Sequence, residues 1–188
     1  MRNVVLFGFM GTGKTAAGKE VARRLAMNFV DMDDVIEDKE GCPISEIFAE
    51  KGEDHFREVE SDVAHALARR EGLVIATGGG VVLNPKNVDV LQLSGTGICL
   101  TASPEVIYER VKKESHRPLL MTDGPLERIR SLLQVRAPFY RRVTYHIDTS
   151  DLPVEGLVQK ILAILNKDRE LRGGIGSHGE QTPNPRDS

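Results

Sequence analysis

Along the chain, short apolar runs alternate with longer stretches in which apolar residues recur every three or four positions. The short runs, each beside Gly, Asp or Ser, predict strands at Asn3–Phe7, Asn28–Asp31, Leu73–Ala76, Gly97–Thr101 and Tyr145–Ile147. The longer stretches predict helices. Lys14–Met27 places Ala17, Val21, Ala22 and Leu25 on one face, and Asp54–Arg70 repeats the pattern with Val59, Val63, Ala66 and Leu67. Ser103-Pro104-Glu105 supplies a capping hydroxyl, a proline at the first helical position and an acid in the first turn, so a helix is expected to about Lys113. A last periodic stretch, Val154–Leu165, is expected to pack back on the core. Strands alternating with helices are the mark of βαβ units, so the expected fold class is α/β, a sandwich around a five-stranded parallel sheet.

A chain of 188 residues fits one domain and can bury a core without disulfides or metals. From Arg169 to Ser188 the composition changes to glycine, proline and polar residues, which cannot offset their own ordering entropy. The domain is therefore placed at 1–168, with a disordered tail at 169–188. A net charge of −3 gives no broad positive field, so neither nucleic acid nor an anionic membrane surface is an expected partner. Cys42 and Cys99 form no CxxC pair or Cys/His cluster, which fits idle thiols in a reducing compartment. Val4–Phe7 is too short for a signal sequence, and no apolar run approaches the ~20 residues of a membrane helix, so the expected location is cytoplasmic.

Chemistry enters directly after the first strand. Gly8-Phe9-Met10-Gly11-Thr12-Gly13-Lys14-Thr15 matches G-x-x-x-x-G-K-[ST] and opens a helix, the context in which a P-loop works. Glycines let successive N–H groups turn toward phosphate oxygens, and the helix adds its positive end. Gly11, Thr12, Gly13, Lys14, Thr15 and Ala16 are the expected nucleotide-binding positions. Lys14 is expected on the β- and γ-phosphates, and Thr15 supplies a hydroxyl to Mg²⁺. The bland alternative is a glycine turn before an ordinary helix with a solvated lysine.

A P-loop alone does not name the acceptor. Asp31 and Asp33, alternating at the end of the second strand, are expected on opposite sides of the chain there. Arg57 and Glu60, three apart on a helix, share a face, so the carboxylate can fix the guanidinium for an anionic acceptor. Gly78-Gly79-Gly80 follows the third strand, where a ligand can approach bare backbone. Arg117-Pro118-Leu119-Leu120 lies between helices, and Arg136-Ala137-Pro138-Phe139-Tyr140 lies within or at a break in a later helix. Singly, these are ordinary features: a capped turn, a surface ion pair, a plain loop, solvated arginines.

Together and in this order, the P-loop, Asp31-x-Asp33, Phe56-Arg57-x-x-Glu60, Gly78–Gly80, Arg117-Pro-Leu-Leu and Arg136-Ala-Pro-x-Tyr140 resemble shikimate kinase from Val4 to about Leu165. That resemblance implies a three-layer fold like that of the nucleoside monophosphate kinases. It also implies transfer of the ATP γ-phosphate to the 3-hydroxyl of shikimate, a step toward chorismate and the aromatic amino acids. Carried over by position, Arg57, Arg136 and the glycines Gly78, Gly79 and Gly80 hold shikimate, and Asp33 bonds ring hydroxyls and serves catalysis with Lys14 and Arg117. Asp31 acts on Mg²⁺ through water. Arg117 also reaches the nucleotide from a lid at about 112–124, Arg110 is the adenine-stacking arginine, and 33–60 forms the substrate-binding segment. His116 is left out of the site. A monomer is the expected state, since a lid kinase needs no second subunit. Two rivals share the P-loop: a small kinase for another acceptor, such as gluconate or a nucleoside monophosphate, and a GTP-dependent switch. The arginine pair and triple glycine argue against the first. The second fails because Asn166-Lys167-Asp168 is followed by Arg169 where N-K-x-D needs an acid.

Overall fold

Five strands are parallel neighbours in the order β2-β3-β1-β4-β5 in the computed structural model, which describes residues 1–112 and 124–174. They are β1 (Asn3–Gly8), β2 (Asn28–Asp31), β3 (Leu73–Ala76), β4 (Gly95–Thr101) and β5 (Tyr145–Asp148). The helices are α1 (Lys14–Leu25), α2 (Met32–Glu40), α3 (Ile44–Glu50), α4 (Gly52–Ala68), α5 (Pro85–Ser94), α6 (Pro104–Val111), α7 (Pro125–Tyr140) and α8 (Val154–Gly174). The central strand β1 pairs Val5 with Ile75 of β3 on one side and Leu6 with Ile98 of β4 on the other.

Side chains alternate along a strand, so β1 feeds two cores at once. Val5 and Phe7 pack with Phe9, Val63, Leu67, Val82, Leu91 and Ile107 on the face covered by α2 to α7. Val4 and Leu6 pack with Val21, Ile98, Val158 and Ile161 on the face covered by α1 and α8. This is the expected three-layer α/β arrangement. The chain leaves the end of β1 toward β2 at one edge of the sheet and leaves the end of β3 toward β4 on the other side, so the direction reverses between β1 and β3. The crevice at that switch point is where open parallel sheets bind ligands.

Local chemistry explains several boundaries. Ser103 caps α6 through its Oγ, which accepts from Val106 N at 3.3 Å, and Pro104 opens the helix as expected. Asn84 does the same for α5, accepting from Lys86 N at 3.1 Å. Of the two placements open to Arg136–Tyr140, within a helix or at a break in one, the first holds: α7 runs through Pro138 to Tyr140. Two expectations need correction. Asp33 is not on a strand: β2 ends at Asp31, whose carboxylate accepts from the Asp33 N–H at 3.2 Å and so starts α2. The tail expected from Arg169 begins as helix, because α8 continues to Gly174. It does so because Asp168, buried at its turn, accepts from Thr96 Oγ1 at 2.7 Å, Tyr145 OH at 3.0 Å and Arg172 Nε at 2.9 Å. The remaining expected tail, 175–188, lies outside the described residues.

Candidate active site

The P-loop follows β1 and ends in the first turn of α1. Gly11 and Gly13 both take left-handed backbone, at φ 72° and 95°, a conformation that other residues adopt at a cost. Lys14 folds back over the loop, and its Nζ donates to the carbonyls of Gly8 and Phe9, each at 2.9 Å. Thr15 Oγ1 donates to Asp31 Oδ2 at 2.9 Å, so the end of β2 and the start of α1 present two hard oxygens side by side. Arg110, on α6, donates from Nη1 to Gly11 O at 3.1 Å and to Thr149 Oγ1 at 3.0 Å, and from Nη2 to Thr149 O at 2.7 Å. It thus stands at the P-loop, bonded to backbone.

The second half of the site gathers on the loop after β3. A Cβ placed on Gly78 would lie 2.8 Å from Asp33 Oδ1 and 3.2 Å from Glu60 Oε1. One on Gly80 would meet Arg57 Nη1 at 2.5 Å. Arg136 reaches across from α7, donating from Nη1 to Gly79 O at 3.2 Å while its guanidinium lies 5.5 Å from the centre of the Phe9 ring. Gly78 and Gly80 are therefore needed at close approach: a side chain at either would displace one of these charged groups. On its other flank the Gly79 position abuts the P-loop, with Met10 N 3.5 Å and Gly8 O 3.7 Å from a Cβ at that point.

Electrostatics sharpen the picture. Glu60 is 1% exposed and its Oε2 accepts from Arg57 Nη1 at 2.8 Å, while its Oε1 has no hydrogen-bond partner among the described residues. Burial raises its carboxyl above the ordinary value, and the neighbouring Arg57 only partly offsets this. Burial works against the Arg57 charge too, but Glu60 and Glu53 outweigh it and raise the guanidinium further. On β4, burial pushes the Cys99 thiol up to about 12, which makes it an inert core residue.

The structure thus brings together Asp33, Arg57, Gly78, Gly79, Gly80 and Arg136 beside a P-loop carrying Lys14 and Thr15, with Asp31 at the end of β2 bonded to Thr15. Arg117 and His116 lie outside the described residues, as does the expected lid apart from its ends. Two engaged residues carried no role from the sequence. Tyr140 donates its phenol to Gly79 O at 2.7 Å, a proton that burial holds firmly by raising the phenol's pKa. Phe9 supplies the ring under Arg136. Tyr140 had a local signal, its place one helical turn after Arg136, whereas Phe9 had none beyond its position inside the P-loop.

The family model of shikimate kinase matches residues 10–166, most of the chain. The chain belongs to the shikimate kinase family. It is accordingly an ATP-dependent phosphotransferase. The shikimate kinase of Thermodesulfovibrio yellowstonii is 48% identical over 162 residues, covering 86% of this chain and 94% of that one. The solved shikimate kinase of Acinetobacter baumannii in complex with shikimate superposes with a TM-score of 0.85 at 36% identity, covering 90% of this chain and 95% of that one. A gluconokinase from Sinorhizobium meliloti 1021 shares the fold alone, at 21% identity and a TM-score of 0.64 over 93% of this chain and 97% of that one. The fold is thus shared by proteins named for different acceptors.

Proposed function

We propose that this chain transfers the γ-phosphoryl group of ATP to the 3-hydroxyl of shikimate. The reading rests on one convergence: Arg57, Arg136 and Asp33, from three different helices, all meet the triple glycine that borders the P-loop. Two guanidinium forks suit a carboxylate, since each can make paired, charge-assisted hydrogen bonds. A carboxylate beside them at Gly78 suits ring hydroxyls. The family membership and the solved relative that holds shikimate support the same acceptor.

In this reading Arg57 and Arg136 hold the shikimate carboxylate and Gly79 and Gly80 admit the ring. Asp33 orients the 3-hydroxyl and accepts its proton as the oxygen bonds the γ-phosphorus and the bond to the β-phosphate oxygen breaks, releasing ADP. Lys14 exchanges its two carbonyl partners for the β- and γ-phosphates. The Thr15 hydroxyl and the Asp31 carboxylate, 2.9 Å apart, are the hard oxygen donors that Mg²⁺ prefers, so Thr15 would hold the ion and Asp31 would act on it through water. When bound, the ion neutralises phosphate charge. Arg110 serves the adenine, and Arg117, assigned from the sequence, serves the transferring phosphate. Among the described residues no helix is long and apolar enough to cross a membrane. We assign the protein to the cytoplasm as a monomer with small-molecule partners only.

The test is ADP release from Mg-ATP by purified protein, with shikimate, gluconate or AMP added separately and a control without acceptor. Turnover with shikimate alone is expected. Turnover with another acceptor alone would keep the kinase and overturn the pocket.

A further inference from the structure

The carbonyl side of the P-loop is held from behind by a residue with no assigned role. Thr149 follows β5, is 1% exposed, and is fixed in place by its own N–H, which donates to Thr101 O at 2.8 Å. Its hydroxyl donates to Thr12 O at 3.2 Å and accepts from Arg110 Nη1 at 3.0 Å. The same Arg110 nitrogen donates to Gly11 O at 3.1 Å, and Nη2 returns to Thr149 O at 2.7 Å. Two consecutive P-loop carbonyls are thus captured by one threonine–arginine unit, whose members are 39 residues apart.

The peptide geometry gives this capture a consequence. In a trans peptide the C=O and the following N–H point in opposite directions, and no described peptide is cis. Holding the carbonyls of Gly11 and Thr12 outward turns the N–H groups of Thr12 and Gly13 the other way, into the hollow where phosphate oxygens sit. Because the acceptor carbonyls are hydrogen-bonded, the same peptide units are also polarised toward stronger donation. A loop with left-handed glycines at 11 and 13 has other conformations open to it, so the orientation needs an external hold.

We propose that Thr149 is a positioning residue for nucleotide binding: with Arg110 it presets the P-loop amides for the phosphates of ATP and contributes nothing to shikimate binding. The proposal rests on the P-loop being the ATP site. It is tested by titrating wild-type protein, Thr149→Val, Thr149→Ala and Thr149→Ser with Mg-ADP and, separately, with shikimate by calorimetry, together with the two KM values. Loss of one net hydrogen bond predicts an ADP affinity about three- to tenfold weaker in the Val variant, and in the Ala variant where valine disturbs the fold. The KM for ATP is expected to rise in parallel, shikimate affinity to stay within about twofold, and Thr149→Ser to restore ADP binding. Unchanged ADP affinity in both hydroxyl-free variants overturns the proposal, as does equal weakening of ADP and shikimate that serine does not rescue. Failure of the wild-type protein itself to bind ADP would instead overturn the assignment of the P-loop, and the inference with it.

Discussion

Arg136 shows how much a single side chain is asked to do. Its guanidinium lies on the Phe9 ring and donates to the Gly79 carbonyl in the loop after β3. Lysine keeps the charge but lacks the planar fork that both stacks and pairs with a carboxylate. Arg136→Lys should therefore raise the KM for shikimate by about tenfold or more while leaving the KM for ATP within about twofold, measured by steady-state kinetics with each substrate varied. Equal rises in both would assign Arg136 to the fold. Arg57, Arg136 and Asp33 were legible in the sequence because their residue types are informative and their order along the chain is specific. Tyr140 and Thr149 were harder to read: their bonds reach Gly79, 61 residues away, and Thr12, 137 residues away, and such contacts leave no local pattern.

At the level of elements, five strands and the major helices followed from apolar rhythm, since burial on a pleat or a helical face imposes a period. What rhythm could not supply was the segment between β2 and α4. There α3 is only Ile44–Glu50, with Ile47 as its one fully buried residue, too short for a face to show. Met32, Ile36 and Ile47 anchor this region in the core, and polar contacts add to them. Glu40, the last residue of α2, accepts from Lys51 Nζ at 2.8 Å and lies 2.7 Å from His55 Nε2 on α4. Hydrogen bonds from Lys51 and then His55 lower its pKa from 4.5 to about 2. A depressed carboxyl stabilises the fold above its unfolded value, and that contribution is lost as pH falls from about 4.5 through about 2. Glu40→Gln lacks this contribution, so its melting temperature should fall less than that of wild type between about pH 6 and about pH 2.5. Parallel falls in the two proteins would place the acid sensitivity elsewhere. The Asp33 misplacement has the same origin as the missed helix: Asp31 is at once the last strand residue and the cap of α2, and alternation alone cannot say where a strand ends.

For the whole molecule, the sheet order places the two halves of the site together. With β1 central, its carboxyl end delivers the P-loop while neighbouring β3 delivers the triple glycine, and parallel pairing brings both loops to the same edge. Helices α2, α4 and α7 then each send one charged residue, Asp33, Arg57 and Arg136, to that edge. The same architecture hosts a gluconokinase at low identity, so the fold alone does not choose the acceptor. In the proposed reading the choice lies in what surrounds the triple glycine. The most direct test of that claim follows the phosphorus itself: wild-type protein with Mg-ATP and shikimate, the product examined by ³¹P and proton NMR. The account predicts a new phosphomonoester coupled to the proton at carbon 3 of the ring, growing as ATP is consumed. Phosphate on another hydroxyl, or inorganic phosphate alone, would contradict the placement of Asp33 and the two arginines around the acceptor.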